Sequence, residues 1–282
     1  MIEKNKTYLV TGATGIIGKS LCSKIISLGA KVVALSRNKD KLQLLKDKYL
    51  NNITIIPGDI SQKLSITDSL KNVDGIFHLA ALANGSQSGK ATESINTNIL
   101  GTINILKQTL NQNFDFIVGI SSDKAVQISG VYGATKFLME KLFLEYESIN
   151  PKTNYRIVRL GNILYSSDSV LEKWKKSISK GEQIKISDKT STRFFISVHE
   201  AVDIILESLS YSKNAKPYFR EMKSVMLGTL LEAMLLKYST SKIPIIITGL
   251  NINENKHEKI SINSLSSKQA QKYNINELKK LI

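Results

Sequence analysis

Tyr132 and Lys136 stand four residues apart, which places a phenol and an ammonium on one face of the helix that holds them. A cation beside a phenol favours the phenolate and draws its pKa down from about 10. Tyr132 could then take a proton from an alcohol near neutral pH. Upstream, at the end of an apolar run, Ser122 offers a hydroxyl able to bond the same oxygen, and Asp123 and Lys124 follow it directly.

A second group of residues suits a phosphate. Thr11-Gly12-Ala13-Thr14-Gly15-Ile16-Ile17-Gly18 follows a short β-rich run and opens a helical one. Glycines there let a pyrophosphate approach backbone N–H groups and the positive end of the helix dipole. The dinucleotide is chosen at the end of the next apolar run. An acidic residue would bond a ribose 2′-hydroxyl, whereas Ser36-Arg37-Asn38 suits a 2′-phosphate, so NADP is expected. Asp59, in Gly58-Asp59-Ile60, is placed to accept from the adenine amino group or, alternatively, to form a turn after glycine. Ala80-Ala81 leaves room for the cofactor.

These groups need elements to hold them. Short apolar runs at 7–10, 31–35, 53–56, 75–79, 116–120 and 155–160 alternate with helical spacings, such as Ile17, Leu21, Ile25 and Leu28 before Gly29. That rhythm predicts an α/β fold, a Rossmann-like doubly wound parallel sheet with helices on both faces. A helix is expected from about Tyr132 to Ser148. Beyond Gly161 the rhythm turns irregular, with a short strand at Phe194–Val198, which suggests a smaller, discontinuous C-terminal substrate lobe. The division expected is 1–162, with a returning segment about 190–210, for the cofactor, and 163–189 with 211–282 for the substrate.

With 282 residues, 42% of them hydrophobic, the chain can bury a substantial core. Lys and Arg number 39 against 24 Asp and Glu, but the excess is spread along the chain and only five of the 39 are Arg. Reading of bases favours the Arg fork, so the charge reads as a solvated lysine surface and nucleic acid is not an expected partner. The single Cys22 cannot form an internal disulfide. The chain lacks an apolar run of spanning length and begins with a strand, so a cytoplasmic protein without stable membrane insertion is expected. His78 sits within a strand as a core residue, His199 at a helix start, and Trp174 reads as one core residue among solvated lysines. No His/Cys/Asp cluster has metal-ligand spacing, so no metal is expected.

Together the glycine turn, Ser122, Tyr132 and Lys136 resemble the extended short-chain dehydrogenase/reductase family. Ser121-Ser122-Asp123-Lys124-Ala125-Val126 followed by Tyr132-Gly133-Ala134-Thr135-Lys136 is similar to the segment marking inverting UDP-N-acetylglucosamine 4,6-dehydratases of polysaccharide biosynthesis. Asn96-Thr97-Asn98-Ile99-Leu100-Gly101, Arg159-Leu160-Gly161-Asn162-Ile163 and Thr192-Arg193-Phe194-Phe195-Ile196-Ser197 extend the likeness over residues 7 to about 260. The resemblance implies a catalytic set of Ser122, Asp123, Lys124, Tyr132 and Lys136. It implies cofactor contacts at Gly12, Thr14, Gly15, Ile16, Ile17, Gly18, Ser36, Arg37, Asp59, Ile60, Ala80, Ala81, Asn98, Tyr132 and Lys136. Substrate contacts are expected at Asn162, Arg193 and His257, with Asn162 open to either substrate or backbone.

Oxidation at C4 of a hexose acidifies the hydrogen at C5. Lys124, as an amine of depressed pKa, is then the expected base and Asp123, as a carboxylic acid, the expected donor to the departing C6 hydroxyl. A UDP-sugar substrate and a homo-oligomer are expected on the same resemblance. The chain departs from the family in two stretches. Ala81-Leu82-Ala83-Asn84-Gly85-Ser86 stands where a Lys-His element is usual, and Gly249-Leu250-Asn251 and Asn253-Glu254-Asn255 replace Gly-Ile-Arg and Gly-Glu-Lys ahead of His257-Glu258. Asn251 thus replaces a guanidinium expected to fork onto the substrate diphosphate. An epimerase or reductase of the same family, and a non-catalytic NADP-binding regulator, are the alternative readings.

Overall fold

The computed structural model describes residues 1–62, 67–83, 91–165, 169–252 and 254–282. The departures at Asn84-Gly85-Ser86 and at Asn253 lie outside them. Strands β1 (Thr7–Thr11), β2 (Lys31–Ser36), β3 (Ile53–Pro57), β4 (Gly75–His78), β5 (Phe116–Ser122) and β6 (Asn154–Leu160) pair in parallel in the order β6-β5-β4-β1-β2-β3. The central strands are mostly apolar on both faces because both are covered: every residue of β4 and β5 is buried. β1 lies between β2 and β4, so strand order reverses beside it, and in such sheets that reversal opens a crevice at the carboxyl ends of the strands.

Helix α1 (Ile16–Ser27) follows β1, and α2 (Lys39–Tyr49) follows β2. Before β5 the chain runs through α3 (Ala91–Ile95), a π-helical segment (Asn96–Leu100) and α4 (Gly101–Gln108); α5 (Val131–Ile149) joins β5 to β6. Alternating side chains of β1 point to opposite faces. Tyr8 and Val10 pack with Leu21 and Ile25 of α1 and buried Cys22, while Leu9 packs with Ile105, Met139 and Phe143 of α4 and α5.

The remainder adds two small sheets. β7 (Asn162–Ile163), β9 (Thr192–Ile196) and β11 (Ser224–Met226) form one in the order β11-β9-β7, and β8 (Ile184–Ile186) pairs with β12 (Ile245–Ile247). Helices α6 (Val170–Lys180), α8 (Leu227–Tyr238) and α9 (Ile275–Leu281) enclose a separate apolar core that includes Trp174, whose indole N–H donates to the Lys185 carbonyl at 3.0 Å. Helix α7 (Val198–Tyr211) instead packs Ile204 and Ile205 into the core beside α1. β10 (Pro217–Tyr218) then extends the main sheet beyond β6, from the stretch assigned above to the substrate lobe.

The strand expected at Phe194–Val198 lies two residues earlier. Ser197 leaves it to cap α7, accepting from the Glu200 N–H while the Glu200 carboxylate accepts from the Ser197 N–H, and His199 sits in that first turn. Among the described residues no helix is long and apolar enough to cross a membrane.

Candidate active site

A cleft of about 210 Å³ lies at the carboxyl ends of β1, β2 and β4. The chain leaves β1 through Gly12 at φ +67°, and a Cβ added there would stand 2.9 Å from the Ala80 backbone, so a side chain is excluded twice over. The Gly15 N–H bonds back to the Gly12 carbonyl at 3.0 Å, and no side chain caps the start of α1. The first N–H groups and dipole of α1 therefore face an incoming anion. Thr14 Oγ1 and Ser36 Oγ meet at 2.6 Å across the floor. Arg37 stands on the rim with its side chain 58% exposed and its guanidinium 3.9 Å from the Asp59 carboxylate. Asp59 also accepts from the Ser61 N–H and hydroxyl, each at 2.9 Å, which is the turn geometry named above as its alternative role.

Gly12, Thr14, Gly15, Ser36, Arg37, Asp59, Ile60, Ala80 and Ala81 all line this cleft. Ile16 faces a different groove with Lys19, Ile17 packs on the core, and Gly18 is buried against the Gly12 carbonyl. The backbone cradle and the uncapped helix start fit the pyrophosphate of a nicotinamide dinucleotide, with the Arg37 guanidinium on the rim.

Asn98, expected to touch the cofactor, is buried one layer behind. Its amide accepts from the Leu82 N–H at 2.7 Å and donates to the Leu82 carbonyl at 3.1 Å and to Thr135 Oγ1 at 3.0 Å; Thr135 in turn donates to the Tyr132 carbonyl. The π-helical winding puts Thr97 on the cleft while Asn98 turns inward. His78 continues this chain toward the glycine turn. Thr11 Oγ1 accepts from the Leu79 and Ala80 N–H groups, so its own proton goes to His78 Nδ1 at 2.9 Å. Nε2 then carries the ring proton and donates to Thr102 Oγ1 at 2.9 Å, and Thr102 donates to the Asn98 carbonyl. Burial holds the His78 imidazole neutral, with its pKa down to about 3.

A second cleft, of about 560 Å³, opens beyond Ala83 and is lined by Lys124, Tyr132, Asn162, Arg193, Asn251, Glu254 and Glu258 among others. After β5 the chain makes a 3-10 turn over Asp123–Ala125, capped by Ser122 Oγ, which accepts from the Lys124 N–H at 3.3 Å. The Ser122 hydroxyl donates to Asp123 Oδ1 at 2.7 Å. Helix α5 crosses so closely that a Cβ on Gly133 would strike the Lys124 carbonyl. That contact brings the Tyr132 phenol to the Ser122 hydroxyl.

Three expectations change here. The Tyr132 phenol is raised, not lowered, because burial and the Asp123 charge outweigh its hydrogen bond to Ser122. Lys136 is only 4% exposed and donates to the Ile120 carbonyl at 2.7 Å; its Nζ lies 5.8 Å from the Tyr132 ring centroid, and burial lowers its pKa to about 8 against the opposing pull of Glu140. The Asp123–Lys124 pair is ionised at rest, opposite to an amine base beside a carboxylic acid. Lys124 Nζ lies 3.4 Å from Asp123 Oδ2, and although burial acts against both charges, the Asp123 carboxyl is held low and the Lys124 ammonium high by each other and by Glu258.

His257 is absent from the lining of this cleft. Its Nδ1 lies 2.8 Å from Thr192 Oγ1, and the adjacent Glu258 points inward instead. Glu258 is 3% exposed, ion-paired with Lys124 Nζ and with Arg193 Nε at 3.2 Å, and accepts from Asn162 at 3.1 Å. Burial and the nearby Asp123 charge raise its carboxyl to about 7. Arg193 is accordingly engaged on both sides, by Glu258 and by Glu254 at 2.6 Å. Asn162 divides its amide between the Phe194 carbonyl and Glu258, the backbone role left open above. The one sequence signal for Glu258 was its place beside His257; the bend at 256–257, the His257 contact to Thr192 and the Glu258 N–H bond to Ser267 Oγ leave the acid facing the cleft.

The pattern described as "Polysaccharide biosynthesis protein" matches residues 8–279. A protein of Methanocaldococcus jannaschii described as an uncharacterized membrane protein is 31% identical over 98% of this chain and 84% of its own length. A protein named UDP-glucose 4-epimerase from Rickettsia bellii is 31% identical over 82% of this chain and 70% of its own. The crystal structure of Pen from Bacillus thuringiensis superposes with a TM-score of 0.90 at 26% identity, covering 100% of this chain and 99% of that one. The glycine cradle, the Ser–Tyr–Lys constellation and these likenesses agree: the chain belongs to the polysaccharide biosynthesis protein family, a branch of the extended short-chain dehydrogenase/reductases.

Proposed function

We propose that the chain is an NADP-dependent nucleotide-sugar 4,6-dehydratase acting on UDP-N-acetylglucosamine with inversion at C5, and that residues 1–162 with the segment about 190–210 bind the cofactor while the remainder holds the sugar. The observation that carries this reading is that Lys124 and Tyr132 line one cleft, with Asp123 ion-paired to Lys124 and hydrogen-bonded by Ser122 directly behind them. A plain oxidoreductase needs the phenol and the hydroxyl; the adjacent amine and carboxyl add the means to remove water.

Gly12, Thr14, Gly15 and Ser36 would hold the pyrophosphate end of the cofactor and Arg37 its 2′-phosphate. When bound, the nicotinamide supplies the hydride acceptor and later the donor. Tyr132 takes the proton of the sugar C4 hydroxyl while Ser122 bonds the same oxygen. Lys124 removes the C5 proton, made acidic by the neighbouring ketone, and Asp123 passes a proton to the departing C6 oxygen. All three roles require a proton to move first, since Tyr132 rests as a neutral phenol, Lys124 as ammonium and Asp123 as carboxylate.

Incubation with UDP-N-acetylglucosamine and NADP⁺ in deuterated water tests the assignment. A 4-keto-6-deoxy product carrying deuterium at C5 is expected; absence of both the ketone and the label rejects it. The relative named an epimerase favours 4-epimerisation as the second reading. Lys124→Met separates the two: a dehydratase loses about 10²–10⁴ in rate, whereas an epimerase keeps its turnover.

A further inference from the structure

Every buried charge of the second cleft except one has a part in the proposed reaction or in shaping its walls. The exception is Glu258, which comes from the opposite lobe and reaches Lys124 across the cleft. It is faced by Asp123 and Lys124 from the turn after β5, by Arg193 from β9 with Glu254 on the far side of that guanidinium, and by Asn162 from β7. Its backbone N–H donates to Ser267 Oγ at 2.8 Å, and its neighbour His257 is turned toward Thr192. The carboxyl is thus held against the Lys124 ammonium, which in turn contacts Asp123, so it stands beside the two groups whose protonation has to change.

We infer that Glu258 is a positioning residue that takes the proton from Lys124, frees its amine for C5, and returns that proton through Asp123 to the leaving C6 oxygen. The inference rests on the dehydratase reading. The transfers balance. Lys124 ammonium gives one proton to Glu258 carboxylate, leaving an amine and a carboxylic acid. The amine takes the C5 proton as the C5–H electrons form the double bond to C6 and the C6–O bond breaks. Glu258 passes its proton to Asp123, and Asp123 passes one to the departing oxygen, which leaves as water. Lys124 ends as ammonium and both carboxyls as carboxylates, as they began. Of the two carboxyls, Glu258 is the better acceptor, because burial raises it to about 7 whereas Asp123 is held low.

The Lys124 side chain is 31% exposed, enough for an acylating reagent to reach it. With substrate absent, acetic anhydride labelling of Lys124 followed by mass spectrometry across pH reads the amine fraction directly. In Glu258→Gln, which keeps the shape and removes the charge, labelling at a given pH is expected to rise about tenfold, the effect of a one-unit fall in pKa. In unaltered protein, an infrared carboxylic-acid band is expected to titrate near neutral pH, with no substitution that could disturb folding. With UDP-N-acetylglucosamine, E258Q is expected to lose about a hundredfold in kcat with KM nearly unchanged. It should accumulate reduced cofactor, because C4 oxidation does not need the relay. Unchanged labelling in E258Q, or a kcat and pH profile matching the unaltered enzyme while that enzyme releases water, overturns the relay alone. An unaltered enzyme that releases no water removes the dehydratase reading and the relay with it.

Discussion

The two clefts are built by opposite means. The first is made within residues 12–97 by one turn, one helix start and the ends of four successive strands, with a backbone glycine cradle at its centre. The second is assembled from side chains far apart in the chain, where Lys124, Asn162, Arg193 and Glu258 meet, and it is dense in buried charge. A backbone cradle keeps its electrostatics whatever the solution conditions. A cluster of ionisable groups depends on pH and on each member, since removing one leaves another unpaired in a poorly solvated place.

Substitution can break that contrast in steps. Tyr132→Phe should lower turnover by about 10³ while leaving NADP affinity unchanged by fluorescence titration; equal loss of both would join the two clefts into one functional unit. Acid should act next. His78 takes its proton far more readily when unfolded than in the fold, where its pKa is about 3, so its stabilising contribution is complete above its unfolded value and falls as pH drops toward 3. The loss should be about 1.4 kcal/mol per pH unit across that window, read from melting temperatures and absent in His78→Gln. Gly133→Ala should cost about 1–3 kcal/mol by overpacking and slow turnover by displacing Lys124, because its Cβ meets the Lys124 carbonyl. Arg37→Ala is the smallest and sharpest: about tenfold weaker NADP binding, the worth of one charge-assisted hydrogen bond, with NAD binding unaltered.

The same division governs what could be read from the amino acids. The alternating runs and the glycine turn are local patterns, so the sheet, α1 and the residues lining the first cleft were legible, as was the turn that carries Asp123 and Lys124. Asn98 was legible as a contact but not as a buried brace, because a π-helical winding decides which of Thr97 and Asn98 faces the cleft. His257 was chosen over Glu258 because which of the two neighbours faces the cleft is decided by contacts to Thr192 and Ser267, far away in sequence, and not by any local pattern. Ionisation was the least legible. One Lys near one Tyr suggests a lowered phenol, but burial and Asp123 reverse the sign, and neither is visible in a spacing of four.

The line of hydrogen bonds from Thr11 through His78, Thr102, Asn98 and Thr135 to the Tyr132 carbonyl has a consequence for how such an enzyme diversifies. It acts as a strut between the loop that would seat the coenzyme and the helix that carries the acid–base residue, and it never enters the C-terminal half of the chain. New sugars can therefore be accommodated by remodelling the distal lobe, while the spacing that hydride transfer demands stays fixed.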